Sequence, residues 1–195
     1  MADRQRQSQR QRGGFTIVEL LIVVVVIAIL AAITIVSYNG ITTRANNTAT
    51  VTAVSQTLRA IQAYIGSTGT YPLTTGGSFC VTTSSGCLVT GTNGSTASPT
   101  FDANMATIGG LPRSIPTQGA DRYGIIYGYG TGNTMNGVTQ PAIPTYWLQG
   151  TSQRCGVDNV SNTTNNAMAP STTGYTTADD SSTGKTLCII SIPGP

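Results

Sequence analysis

Residues 14–38 read G-F-T-I-V-E-L-L-I-V-V-V-V-I-A-I-L-A-A-I-T-I-V-S-Y, and this stretch decides the fold. Glu19 is its one charge, and residues 20–33 are fourteen consecutive apolar side chains. About 20 apolar residues make a helix long enough to cross a bilayer. Many of these residues are β-branched and would favour strand elsewhere. A lone strand leaves its backbone groups unpaired in lipid, so helix is the expected state. Thr16 and Thr34 fit that reading, because a threonine hydroxyl bonds back to a helix carbonyl.

Upstream lies a polar, glutamine-rich leader with Arg4, Arg6, Arg10 and Arg12. Such charge stays on the cytoplasmic side while the following chain is exported, which predicts a single crossing with the N-terminus inside. A secretory signal peptide is the simplest alternative. The apolar run is long for one, and residues 37–40 offer no clean A-x-A cleavage site. Glu19 speaks against a plain membrane anchor. A carboxylate in a membrane helix is costly and is normally partnered or functional. The cheapest partner is a positive charge brought close by assembly.

The junction Gly14-Phe15-Thr16-Ile17-Val18-Glu19, followed by the apolar run, resembles the class III signal of the type IV pilin superfamily, which includes the pseudopilins of type II secretion. The resemblance covers about residues 13–65. It implies that a prepilin peptidase cuts between Gly14 and Phe15 and methylates the new Phe15 amine. Glu19 then becomes the fifth residue of the mature chain and pairs with the N-terminal amine of a neighbouring subunit. The run from Leu20 to Ile33 supplies helix–helix contact, and Ala28, Ala31 and Ala32 allow close approach. The implied partners are the peptidase, a pilus assembly platform, the membrane before assembly, and other copies of this chain in a helical filament. Adhesion, twitching motility and DNA uptake are roles of the family and are carried by no residue here.

Beyond the membrane stretch the pattern stays helical. Val51, Val54, Leu58, Ile61 and Ile65 recur at i, i+3, i+4 spacing, a stripe for one buried face. Asn46, Asn47, Gln56, Arg59 and Gln62 occupy wetter positions, and Gly66 ends the pattern. The expected helix runs over about residues 15–65, with Gly40 its weak point. The predicted fold is α+β, a long protruding N-terminal helix packed against a small C-terminal antiparallel sheet. Its parts are a leader over 1–14 that is removed, a helix over 15–65 and a head over 66–195. Within the helix, 15–38 is transmembrane and filament core, and 39–65 is amphipathic.

In the head, residues 79–81 and 88–89 are candidate hairpin strands, 91–100 an exposed loop, and 101–111 a short helix. Residues 123–129, 145–148 and 186–192 read as antiparallel strands. The stretch 161–182 is long and polar. Tyr123, Tyr127, Tyr129, Tyr146 and Trp147 read as ordinary strand residues with hydroxyls reaching water rather than as a receptor, sugar or DNA surface.

The cysteines Cys80, Cys87, Cys155 and Cys188 are even in number, and export places them where disulfides form. Three pairings are open. We favour Cys80 with Cys87 and Cys155 with Cys188. The second is of the kind that the resembled superfamily often carries late in the chain. Zinc is disfavoured, because no tight C-x2-C pair is present. Asp158 with Asp179 and Asp180 is a weak calcium candidate. The motifs at Asn93, Asn159 and Asn162 match the bare N-glycosylation pattern, which is common by chance in such a composition.

The chain has 195 residues and a formal charge of +3. The leader alone accounts for that excess, and the remainder is nearly neutral. The basic leader therefore reads as a topology signal, and nucleic-acid binding has no support in the charge pattern. With no histidine, Ser-His-Asp and Cys-His devices are excluded, and no phosphate-cradling loop is present. No catalytic residue, cofactor or metal is expected. The leading expectation is a structural subunit of a type IV pilus. The alternatives are a type II secretion pseudopilin and a single-pass anchored binding protein.

Overall fold

The computed structural model of the chain describes residues 14–82, 87–90, 93–116, 122–163, 166–176 and 184–195. They fall into two compact units, one ending at Thr42 and the other running from Thr43 to Pro195.

The first unit is helical. Helix α1 (Ile17–Thr68) starts here and continues through Gly40 into the second unit. Almost every described side chain of the first unit is exposed. It therefore gains nothing from burial within the chain, and its apolar surface has to be covered by something else.

The second unit is built on a four-stranded antiparallel sheet. Strands β1 (Gly77–Cys80), β4 (Ile126–Tyr129), β7 (Ala142–Gln149) and β9 (Lys185–Ile189) lie in the order β1-β4-β7-β9. The register pairs Tyr127 with Pro144 and Tyr146 with Cys188. Alternation along the strands sends side chains to two separate cores. Tyr127, Ala142, Tyr146, Leu148, Cys188 and Ile190 join Val54, Ile61 and Ile65 of α1 in the larger core. Ile126, Trp147, Leu187 and Ile189 face the other way, with Met135 and Met168. Both faces of the sheet are thus covered, where a two-layer packing was expected.

The second cover comes partly from a small sheet in the order β6-β5-β8, made of β5 (Thr134–Met135), β6 (Val138–Thr139) and β8 (Ala167–Met168). Strands β5 and β6 are antiparallel, whereas β5 and β8 run parallel. Within the polar stretch 161–182, the described residues contribute β8 and bury Met168 and Thr176.

Several local expectations need correction. Strands β1 and β2 (Cys87–Thr90) do not form a hairpin with each other. Strand β1 pairs with β4, and β2 pairs with β3 (Asn93–Ser95). Residues 91–100 therefore include a strand and the start of a helix. Helix α2 (Pro99–Ala106) begins earlier than residue 101 because Ser98 caps it, accepting the Phe101 N–H at 3.3 Å, with Pro99 in the first turn. Helix α1 passes through Gly66 to Thr68. The Ser67 and Thr68 hydroxyls bond to the Tyr64 carbonyl, and the Gly69 N–H closes on Ile65.

The buried stripe on α1 also differs in detail. Val54 and Ile61 are fully buried, Val51 and Leu58 only partly, and Thr50 and Thr57 lie among them without exposure. A threonine can sit there because its hydroxyl donates to a helix carbonyl, Asn46 for Thr50 and Ala53 for Thr57. The tyrosines are buried more deeply than expected. Tyr127 and Tyr146 have 0% exposure, and their hydroxyls donate to the Leu73 and Cys155 carbonyls instead of reaching water.

Disulfides join Cys80 to Cys87 and Cys155 to Cys188, with Cα atoms 5.3 and 5.8 Å apart. The four sulfurs are consumed in these bonds, which leaves no thiolate for zinc.

Candidate functional site

The candidate site is the start of α1. Gly14 and Phe15 precede the helix, and Phe15 is 84% exposed. Thr16 is the residue before the first helical position, and Glu19 is the third helical residue. Their side chains close a reciprocal capping box. One carboxylate oxygen of Glu19, Oε2, accepts the Thr16 backbone N–H at 2.8 Å and the Thr16 hydroxyl at 2.8 Å. In return the Thr16 hydroxyl oxygen accepts the Glu19 N–H at 3.2 Å. The Thr16 carbonyl accepts the Leu20 N–H at 3.3 Å, completing the first turn. Two backbone donors that the helix itself cannot satisfy are satisfied here.

Sequence reasoning singled out Glu19 but missed Thr16 as its partner. The signal was present as T-x-x-E directly before an apolar run, the pattern of a capping box. The geometry also shows what Glu19 has left to offer. Oε2 is engaged twice, while Oε1 accepts nothing among the described residues. The carboxylate is held in place by the helix start and keeps one oxygen for a further donor.

Along the helix, Leu20, Ala28, Ala31 and Ala32 all lie exposed. Ala28, Ala31 and Ala32 stand at i, i+3 and i+4, so they share one side of the helix and lower its profile there. The Ala31 carbonyl also accepts the Thr34 hydroxyl at 2.9 Å, so that polar group is satisfied within the helix. By length and composition α1 is able to cross a membrane, and its most apolar window has no buried share within the chain.

The other candidates fare differently. Of the calcium set, Asp158 is exposed, and Asp179 and Asp180 lie outside the described residues. Among the described residues no cluster of acidic, cysteine or histidine groups is placed to hold a metal. Tyr127, Tyr146 and Trp147 are packed inside and offer no ring to a ligand.

Residues 9–35 match the family model for the prokaryotic N-terminal methylation motif. The match spans the end of the leader, the Gly14–Phe15 junction, the capping box and most of the apolar run. The match supports a type IV pilin-like prepilin with a class III signal peptide over these residues, a motif that pilins and pseudopilins share. That motif marks structural subunits processed by a prepilin peptidase and assembled into pili, and it fits a membrane-anchored prepilin. No curated protein matches the chain, and no solved structure matches it either.

Proposed function

We propose that this protein is the structural subunit of a type IV pilus filament. The observation that carries the reading is the juxtaposition at the start of α1. A methylation motif leads into a helix whose apolar surface finds no cover in its own chain, with one pre-positioned carboxylate at its head. A membrane covers such a surface before assembly, and the same segment of neighbouring copies covers it afterwards.

In this reading residues 1–14 are the leader, removed when water splits the Gly14–Phe15 peptide bond. The new Phe15 amine is then methylated and remains a cation. Residues 15–65 form the helix, with 15–38 in the filament core, and 66–195 form the head. The capping box survives cleavage, because the Thr16 N–H it uses is still an amide. An incoming subunit presents its Phe15 ammonium to the free Oε1 of a neighbour's Glu19. Each charge alone is unfavourable in an apolar layer, and together they neutralise and set the axial register. Residues 20–33 then supply non-directional packing, with Ala28, Ala31 and Ala32 at the closest approach. Before assembly the protein sits in the cytoplasmic membrane, and afterwards it is part of a fibre at the cell surface.

The test is Glu19→Gln, with processing and fibre yield measured on the same variant at equal protein level. Cleavage is expected to continue largely intact while fibre yield collapses. Normal fibres from fully processed Glu19→Gln contradict the pairing. A secretion pseudopilin shares the motif but stays scarce in sheared surface fibres, and a simple anchored binding protein keeps its leader and forms none.

A further inference from the structure

The second unit contains an open groove of about 530 Å³ that the assembly site does not use. One wall is a single face of α1, formed by Ser55, Leu58, Arg59 and Gln62 at i, i+3, i+4 and i+7. The other wall is the segment following Cys155 together with the end of the chain after β9. Arg154, Asp158 and Asn159 stand at its rim. Val157 and the buried Ile190 and Ile192 give it an apolar floor with Leu58.

Two features make this more than a surface dent. First, Arg59 and Arg154 both line it, and neither has an ion pair or hydrogen bond among the described residues. The one salt bridge between described residues, Arg113 with Asp102, lies outside the groove lining. Second, the walls are fixed. Arg154 precedes a disulfide-bonded cysteine whose N–H donates to the Gly174 carbonyl at 2.8 Å, and the Arg154 stem packs on Gly174. Gly156, at φ +71°, brings this segment against α1. A Cβ there would stand 3.0 Å from Val51 Cγ1, so only glycine permits the approach without a shift.

We infer that this groove binds a carboxylate-bearing sugar, a short uronate-type oligosaccharide. Guanidinium forks are matched to carboxylates, which they grip with two parallel hydrogen bonds. The Gln62 and Asn159 amides and the Asp158 carboxylate supply the donors and acceptors that sugar hydroxyls need. The aliphatic floor suits the C–H faces of a pyranose ring. No aromatic ring lines the groove to stack a base, so a nucleic acid is the poorer fit. The volume lies within the range of ligand sites, about 300–1,000 Å³. The inference is independent of filament assembly and applies to the unassembled chain.

The experiment uses the full chain in detergent micelles and titrates it with a galacturonate trimer. The controls are a neutral galactose trimer, inorganic polyphosphate and oligo-dT. Saturable binding of the uronate is expected, with the neutral trimer at least about tenfold weaker. Arg59→Gln and Arg154→Gln are each expected to weaken it about tenfold, the order expected for losing one charge-assisted contact. Both side chains are exposed, so the thermal unfolding curve of each variant is expected to overlie that of the parent. Arg44→Gln, an exposed arginine outside the groove, is expected to leave affinity unchanged. Absence of saturable uronate binding overturns the inference. So does equal binding of the neutral sugar, tighter binding of polyphosphate or DNA, or an equal loss in Arg44→Gln.

Discussion

Asn47 carries out a task that its residue type does not announce. Its amide nitrogen donates to the Gln149 carbonyl at 2.9 Å, and its amide oxygen accepts the Gln149 N–H at 2.8 Å. One side chain thereby completes the backbone pairing at the end of β7 and fastens α1 to it. In the sequence Asn47 is one polar residue on a helix face, and 102 residues separate it from its partner, so nothing local pointed to the contact. Removing both bonds and leaving a part-buried strand end unpaired costs about 1–3 kcal/mol. Asn47→Ala is expected to lower the unfolding free energy by that amount in chemical denaturation, and an unchanged midpoint refutes the role.

The buried tyrosines make a second prediction at this scale. Burial raises the phenol of Tyr146 far above its ordinary value of 10.0. Burial does the same for Tyr127, helped by the neighbouring Tyr129 and Tyr71. A raised folded-state value means that the neutral phenol is favoured by folding. The contribution is fully present below the unfolded value near 10 and is lost as pH rises from there towards the folded value. Stability is expected to fall steeply above about pH 10, measured as melting temperature against pH. Tyr146→Phe is less stable at neutral pH, having lost the bond to the Cys155 carbonyl, but declines less steeply in alkali. An alkaline slope equal to that of the parent shows that Tyr146 does not titrate with unfolding.

At the scale of elements, the sequence announces what has a period and a length. Helix α1 was legible because its stripe repeats over many turns and its apolar run is unbroken. Strands β7 and β9 were legible because alternating aromatic and β-branched residues serve two cores. Strands β5, β6 and β8 have two residues each, too few to show a period. Their signal was instead the Asn136-Gly137 turn, where both residues take positive φ, 51° and 79°. The β5–β8 pairing is parallel and long-range, so no hairpin pattern marks it. The candidate site was half legible. Glu19 stood out as a charge in an apolar run, whereas Thr16 hid as a tolerated polar residue until its cap geometry was seen.

The Cys155–Cys188 bond is an element-scale staple between the segment before the groove and β9. Its sequence separation is 33 residues, for which loop-closure entropy suggests about 3–4 kcal/mol. Non-reducing peptide mapping of exported protein is expected to recover Cys155 linked to Cys188. Breaking that link with a Cys155→Ser, Cys188→Ser pair is expected to raise hydrogen exchange over residues 156–187 more than over 43–68. Free cysteines, or Cys155 linked to Cys80, contradict the assignment.

At the scale of the whole molecule, the two units divide the work. The second unit has two cores and two disulfides and buries Phe101, Tyr127, Tyr146 and Trp147. The first unit buries almost nothing and carries the methylation motif. Its stability as a helix in isolation comes from the cap and from whatever apolar medium surrounds it, because propensity alone is weak for so many β-branched residues. In the function proposed above, assembly is a transfer of one apolar surface from lipid to protein, steered by one charge pair. The most direct test of that account is mass spectrometry on the main protein of sheared surface fibres, including its N-terminal peptide. The account predicts this chain as the dominant species, beginning at N-methylated Phe15 with residues 1–14 absent. Fibres in which this chain is missing or scarce, or in which it still carries Arg4 to Arg12, contradict it.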